Sequence, residues 1–169
     1  MDGQALDIAD VSFDAAFSMF GIFLFPDWRA GLLELARVVR PSGVAVISSW
    51  RHRQGAGPNL LPSSALAKLY PDLIIPLMPD GIEELSEPDR LEAAMVGVGF
   101  AYVAITPVTR DFVLEPSMLN QPEQVFGFSP FWKALDPNPQ AGVVDEVRAR
   151  TECDGLRIAS TASIATGRR

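Results

Sequence analysis

One stretch constrains this chain more than any other: a buried apolar run, an amphipathic helix, a tight turn and a second apolar run, all between Phe13 and Trp50. Phe13 to Phe25 is broken only by Asp14, Ser18 and Gly21. An uninterrupted run of this kind reads as a strand with both faces covered, ending near Gly21 and closed by the Pro26-Asp27 breaker. Asp27 then stands as an N-cap. Trp28, Leu32, Leu35, Ala36 and Val39 follow at helical spacing, with Arg37 and Arg40 in the last turn, where positive charge opposes the helix dipole. Pro41 stops the helix, Ser42-Gly43 turns the chain, and Val44 to Trp50 is a second buried strand. This is a strand–helix–strand repeat of a parallel sheet, and such a repeat requires neighbours on both sides.

Bulk properties narrow the function classes. The 169 residues are 48% hydrophobic, enough for a globular core. No apolar run reaches the roughly 18 residues that would span a bilayer, and Phe13–Phe25 lacks the basic lead of a signal peptide. The expectation is a cytoplasmic chain without membrane contact. A formal net charge of −7 argues against nucleic acid as the partner. One cysteine, Cys153, and one histidine, His52, leave no disulfide and too few ligands for a transition metal. Cys153 lies between Glu152 and Asp154, which disfavour a thiolate.

Further along, residues 51–84 are rich in Pro and Gly and read as a long connection, with a short helix over Ser63 to Leu69. It suits either a cover over a small-molecule pocket or a loop packed on the core. Ser86-Glu87-Pro88-Asp89 has the form of a capping box opening a helix, with Leu91, Ala94, Met95 and Val98 buried and Gly99 just past its end. Phe100 leads into a strand placed at the sheet edge by Pro107. Phe126, Phe128, Phe131 and Trp132 read as local core rather than a ligand cage. Gln140 to Arg150 suits a helix, and Leu156 to Thr166 a final strand.

In order, these pieces resemble the class I S-adenosylmethionine-dependent methyltransferases. The matching residues are Asp2-Gly3, Leu6, Ser12-Phe13-Asp14, Phe25-Pro26-Asp27 and Arg37-Val38-Val39-Arg40-Pro41-Ser42-Gly43. SEPDRLEAAMVGVGFAYVAI and SIATGRR resemble the family's later helix–strand unit and its closing antiparallel strand. The resemblance implies an α/β fold: the C-terminal portion of a Rossmann-like methyltransferase sheet, mostly parallel with an antiparallel closing strand. It implies one domain over 1–169 that is N-terminally incomplete. The family's Gly-rich loop has no counterpart, and on the order of 60 to 80 residues, two βα units, would precede this part.

The same resemblance assigns roles. S-adenosyl-L-methionine is the implied cofactor, with Asp2, Gly3 and Gln4 meeting the adenine and Ser18 and Met19 facing the methyl donor. Phe20, Phe23 and Trp50 fall on the side of a small-molecule acceptor. His52 is placed to take a proton from that acceptor. The competing reading is a non-catalytic remnant that pairs with another chain, including a homo-oligomer formed through an exposed sheet edge.

Overall fold

The computed structural model describes residues 1–51, 57–73, 78–127, 129–151 and 155–169. The described strands form one four-stranded mixed sheet in the order β1-β2-β4-β3. They are β1 (Phe13–Met19), β2 (Val39–Trp50), β3 (Ala101–Leu114) and β4 (Leu156–Arg168). β1 and β2 are parallel, and β4 runs antiparallel to β2. The sheet thus has the expected combination of a parallel pair and an antiparallel closing strand, with β3 at an edge. Two compact units divide the chain: Met1–Arg53, Pro79–Thr109 and Thr161–Arg169 form the first, Gln54–Met78 and Arg110–Ser160 the second.

In the first unit, helix α1 (Trp28–Val38) forms where the sequence places it. Asp27 caps it, its Oδ1 accepting from the N–H groups of Arg29 (3.1 Å) and Ala30 (3.0 Å). The stripe Trp28, Leu32, Leu35 and Ala36 is buried, together with Val39, Ala45 and Ile47 of β2, Leu91, Met95, Phe100 and Ala165. Burying one such Leu stabilises the unit by about 2 kcal/mol. The carboxyl end of α1 is closed by Arg169, whose guanidinium donates to the carbonyls of Ala36, Arg37 and Val39. That satisfies orphan carbonyls and sets positive charge at the negative end of the dipole.

Three expectations are corrected. β1 is an edge strand rather than a strand covered on both faces: Phe13 is 44%, Phe17 68% and Met19 80% exposed. Pairing of β2 begins at Val39, and residues 40–43 form an irregularity between the Phe13↔Val39 and Ala15↔Val44 pairs, with Ser42 at φ +69. The capping box is not built: Ser86 Oγ donates to the Glu83 carbonyl, and Glu87 is the N-cap without a side-chain bond. Helix α4 (Pro88–Gly97) still forms, because Pro at its first position is already set at helical φ. Gly99, at φ +100, takes the place past its end where an L side chain would be strained.

The second unit has its own core. Helix α2 (Leu61–Leu69) contributes Ala65 and Leu66, and helix α7 (Pro137–Arg150) contributes Val143 and Val147. Phe126 and Trp132 are fully buried with them, 5.2 Å between ring centroids, and Trp132 Nε1 donates to Glu123 Oε1 at 2.7 Å. Of the four aromatic residues read as local core, Phe126 and Trp132 are core. Phe128, Cys153 and His52 lie outside the described residues.

Gly31 tests this account of the first unit. A Cβ there would stand 2.4 Å from Phe25 Cδ2, and one on Gly3 would stand 2.5 Å from Phe25 Cζ. The Phe25 ring is therefore held between two glycines, and a methyl group on either must displace it. Helix propensity alone makes Gly31→Ala stabilising by about 1 kcal/mol. Packing reverses the sign, to a loss of about 1–3 kcal/mol. Urea unfolding of the variant decides between them, and a gain in stability would show that the Phe25 clamp does not hold.

Candidate functional site

The candidate residues fall in two places: on the first unit's N-terminal loop, which docks on helix α1 beside β1, and past the carboxyl ends of β1 and β2, where ligands collect in open α/β sheets. Asp2, Gly3 and Gln4 form a tight turn in that loop. Asp2 Oδ1 accepts from the Gln4 N–H (2.9 Å) and from Gln4 Nε2 (3.3 Å), and the Ala5 N–H returns to the Asp2 carbonyl. The Gln4 bonds, the backbone one first, draw the exposed Asp2 carboxyl below its ordinary range. It is an ionised acceptor at neutral pH. Gln4 also ties the loop to α1, its Oε1 accepting from the Asp27 N–H at 2.7 Å.

The rest of the loop is held by two residues that sequence reading had assigned no role at the site. Glu34 Oε2 accepts from the Leu6 N–H at 2.6 Å. Arg37 donates to both Glu34 oxygens (2.7 and 2.8 Å), to the Ile8 and Leu6 carbonyls (2.7 and 3.1 Å) and to Asp10 Oδ1 (2.6 Å). The Arg37 guanidinium, with the Leu6 amide second, holds the Glu34 carboxyl down at about 2. Glu34 and Asp10 in turn raise Arg37. A Glu followed three residues later by Arg on one helix face was the available signal; its partners in the loop could not be read from spacing.

At the end of β1, Ser18 Oγ accepts from the Ile22 N–H at 3.1 Å, turning the chain into the single 3₁₀ turn Ile22–Leu24. Gly3 and Ser18 border the same apolar groove, about 350 Å³, with Phe13, Phe17 and Phe25 along it. Met19 projects into solvent. Phe20 adopts φ +52, and its N–H donates to Ser48 Oγ at 2.9 Å and to the Ser48 carbonyl at 3.3 Å. Its ring stacks on Trp50, with centroids 4.4 Å apart and planes at 27°. Phe23 is 6% exposed, part of the core on which Phe20 and Trp50 pack. The structure thus joins Gly3 with Ser18 and Phe20 with Trp50, and sets Phe23 behind them. Among the described residues there is no group of three or more His, Cys, Asp or Glu side chains able to hold a metal. No described helix is long and apolar enough to cross a membrane.

This architecture is the Rossmann-like methyltransferase fold. A Bacillus halodurans protein assigned as a methyltransferase superposes with a TM-score of 0.60, covering 99% of this chain and 75% of its own, at 9% identity, a likeness of fold alone. Residues 1–47 match the family model of the methyltransferase domain. The demethylmenaquinone methyltransferase of Corynebacterium kroppenstedtii is 55% identical over 42 residues, which is 25% of this chain and 18% of that protein. The ubiquinone/menaquinone biosynthesis C-methyltransferase UbiE of Geotalea uraniireducens is 30% identical over 110 residues, 57% of this chain and 45% of that one. Over its first 47 residues the chain is thus similar to the methyltransferase domain, and the matched segments span less than half of either relative.

Loop docking through Glu34 has a defined pH dependence. A carboxylate depressed from 4.5 to about 2 on folding contributes fully above the unfolded value. The contribution is lost as pH falls from about 4.5 towards 2, where the folded form takes up its proton. The protection factor of the Leu6 amide should fall through that window in the wild-type chain. In Glu34→Gln it should be low already at pH 7 and lack that acid step.

Proposed function

We propose that this chain carries part of an S-adenosylmethionine-dependent methyltransferase site acting on a small-molecule acceptor. The observation that carries the reading is the anchored Asp2-Gly3-Gln4 loop. It offers an ionised acceptor, Asp2, beside an apolar groove that reaches from Gly3 to Ser18. A purine ring with an exocyclic amino group asks for that pairing of one hydrogen-bond acceptor with a flat apolar wall. The residues present fit the adenosyl part of the cofactor. When bound, the cofactor supplies an electrophilic methyl group on sulfur.

In this reading Asp2 accepts from the adenine amino group while the backbone at Gly3 and Gln4 meets the ring. Ser18 and Met19 border the methyl-donor end. Phe20 and Trp50 form the acceptor side over the buried Phe23, with His52 taking the acceptor's proton. Catalysis rests on holding donor and acceptor in line rather than on strong acid–base help. The relatives' printed names, which concern quinone biosynthesis, favour a small-molecule acceptor over nucleic acid, and the net charge of −7 agrees.

Calorimetric titration with S-adenosylmethionine tests the reading. Saturable binding weakened at least about tenfold in Asp2→Ala supports it. No heat from a folded chain, or equal binding by the variant, sinks the adenine assignment.

The exposed edge favours a second reading, pairing with another copy of the chain through β1. In antiparallel register about Ala16, Phe13 faces Met19, Ala15 faces Phe17 and Asp14 faces Ser18, so apolar side chains meet apolar ones and no like charges oppose. Sedimentation equilibrium should then show a dimer that Phe17→Lys converts to monomer. A wild-type monomer at tens of micromolar would exclude it.

A further inference from the structure

The second unit holds a cavity that the methyltransferase reading leaves unused. Its volume is about 370 Å³, within the range of small-molecule sites, and it lies outside the residues 1–47 that the family model matches. Phe112, Met118 and Val125 give it an apolar lining. Its walls are held from behind. The 3₁₀ turn Pro116–Asn120, which carries Met118, is tied to α7, whose Arg148 donates to the carbonyls of Pro116 (3.4 Å) and Leu119 (3.3 Å). The short helix Pro122–Phe126, which carries Gln124 and Val125, is tied by the bond from Trp132 Nε1 to Glu123. Both walls are thus fixed before any ligand arrives, and binding does not have to order them first.

Gln121 and Gln124 decide which chemistry the cavity suits. Both border it, and Gln124 Nε2 donates to Gln121 Oε1. One bond between two carboxamides leaves one donor and one acceptor over, here Gln121 Nε2 and Gln124 Oε1, for which the described residues offer no partner. An amide ligand carries the reciprocal pair, a carbonyl that accepts and an N–H that donates. Ions suit the cavity poorly, because no charged side chain lines it and an ion there would lose water against apolar groups. An anion is further disfavoured by Glu115, which accepts from the bordering Ser117 hydroxyl at 3.4 Å, and by the net charge of −7. We propose that this cavity is a binding site for a small neutral molecule with an apolar body and an unsubstituted carboxamide or lactam group. The body packs on Phe112, Met118 and Val125. Gln121 Nε2 donates to the ligand's carbonyl, and Gln124 Oε1 accepts from its N–H. The proposal owes nothing to the methyltransferase reading and stands or falls without it.

The probe is heptanamide, titrated into the whole chain and followed by NMR at the side-chain carboxamide signals of Gln121 and Gln124. N,N-Dimethylheptanamide keeps the apolar body and the carbonyl but has no N–H, and heptanoate replaces the amide with a charge. Area burial alone would make the dimethyl compound the tighter ligand. Pairing with Gln124 makes it the weaker one, by about three- to tenfold, and heptanoate weaker still. Gln124→Met removes the acceptor and should cost heptanamide about three- to tenfold while leaving the dimethyl compound unaffected. Met118→Ser, at a residue 39% exposed, should weaken both amides alike. The indole N–H signal of Trp132 reports whether each variant keeps its fold. If Gln124→Met loses that signal, the comparison of the two amides on the wild-type chain decides alone. Equal or tighter binding of the dimethyl compound or of heptanoate would overturn the proposal. So would shifts confined to residues away from Gln121 and Gln124, or no shift up to the solubility limit of heptanamide.

Discussion

The clamp of Arg37 and Glu34 on the N-terminal loop is the interaction on which the site depends. A loop without regular secondary structure has no ladder to satisfy its backbone groups, so the amide of Leu6 and the carbonyls of Leu6 and Ile8 must find partners elsewhere. They find them on one half-buried edge of α1, in a planar guanidinium and a carboxylate that also bond each other. Arg is required here because its fork reaches two carbonyls and two carboxylates in one plane, which an ammonium group cannot do. With the loop so fixed, Asp2 and Gly3 acquire defined positions beside the groove. Without it they would be a solvated tail.

α1 therefore serves two purposes with two faces. Its apolar stripe buries Trp28, Leu32, Leu35 and Ala36 against the sheet, and its polar edge carries Glu34 and Arg37. Both ends are closed by side chains from elsewhere in the sequence or just outside the helix, Asp27 at the start and Arg169 at the finish. The helix position is thus fixed along its axis as well as across it, and the loop inherits that precision.

Much of this was legible in the sequence. Asp27, the stripe of α1 and Gly99 follow from periodicity and from residues whose local chemistry has one use, and the antiparallel closing strand from the family resemblance. The site was less legible, because its contacts join distant segments. Nothing near Ser48 marks it as the partner of Phe20, and nothing near Arg169 marks it for the three carbonyls at the end of α1. The error at β1 is of another kind. Its apolar run correctly marked a strand, but apolarity reports what a segment tolerates, while exposure depends on what stands beside it. FDAAFSM pairs with β2 on one side only, so Phe17 and Met19 face solvent.

That exposure and the strain at Phe20 sit within one strand, and they have opposite physical meanings. Exposed apolar surface on β1 is a cost of leaving an edge uncovered, and another chain's strand could relieve it. A positive φ at Phe20 is a cost that no partner at the edge relieves, because it is imposed from inside the sheet by Ser48. Substituting the exposed residues can improve solubility without touching a ligand site. Relaxing Phe20 would remove strain and with it the stacking of its ring on Trp50. Where a fold keeps a local cost that its own neighbours enforce, function is the better hypothesis, and here the cost falls at the carboxyl end of a parallel strand.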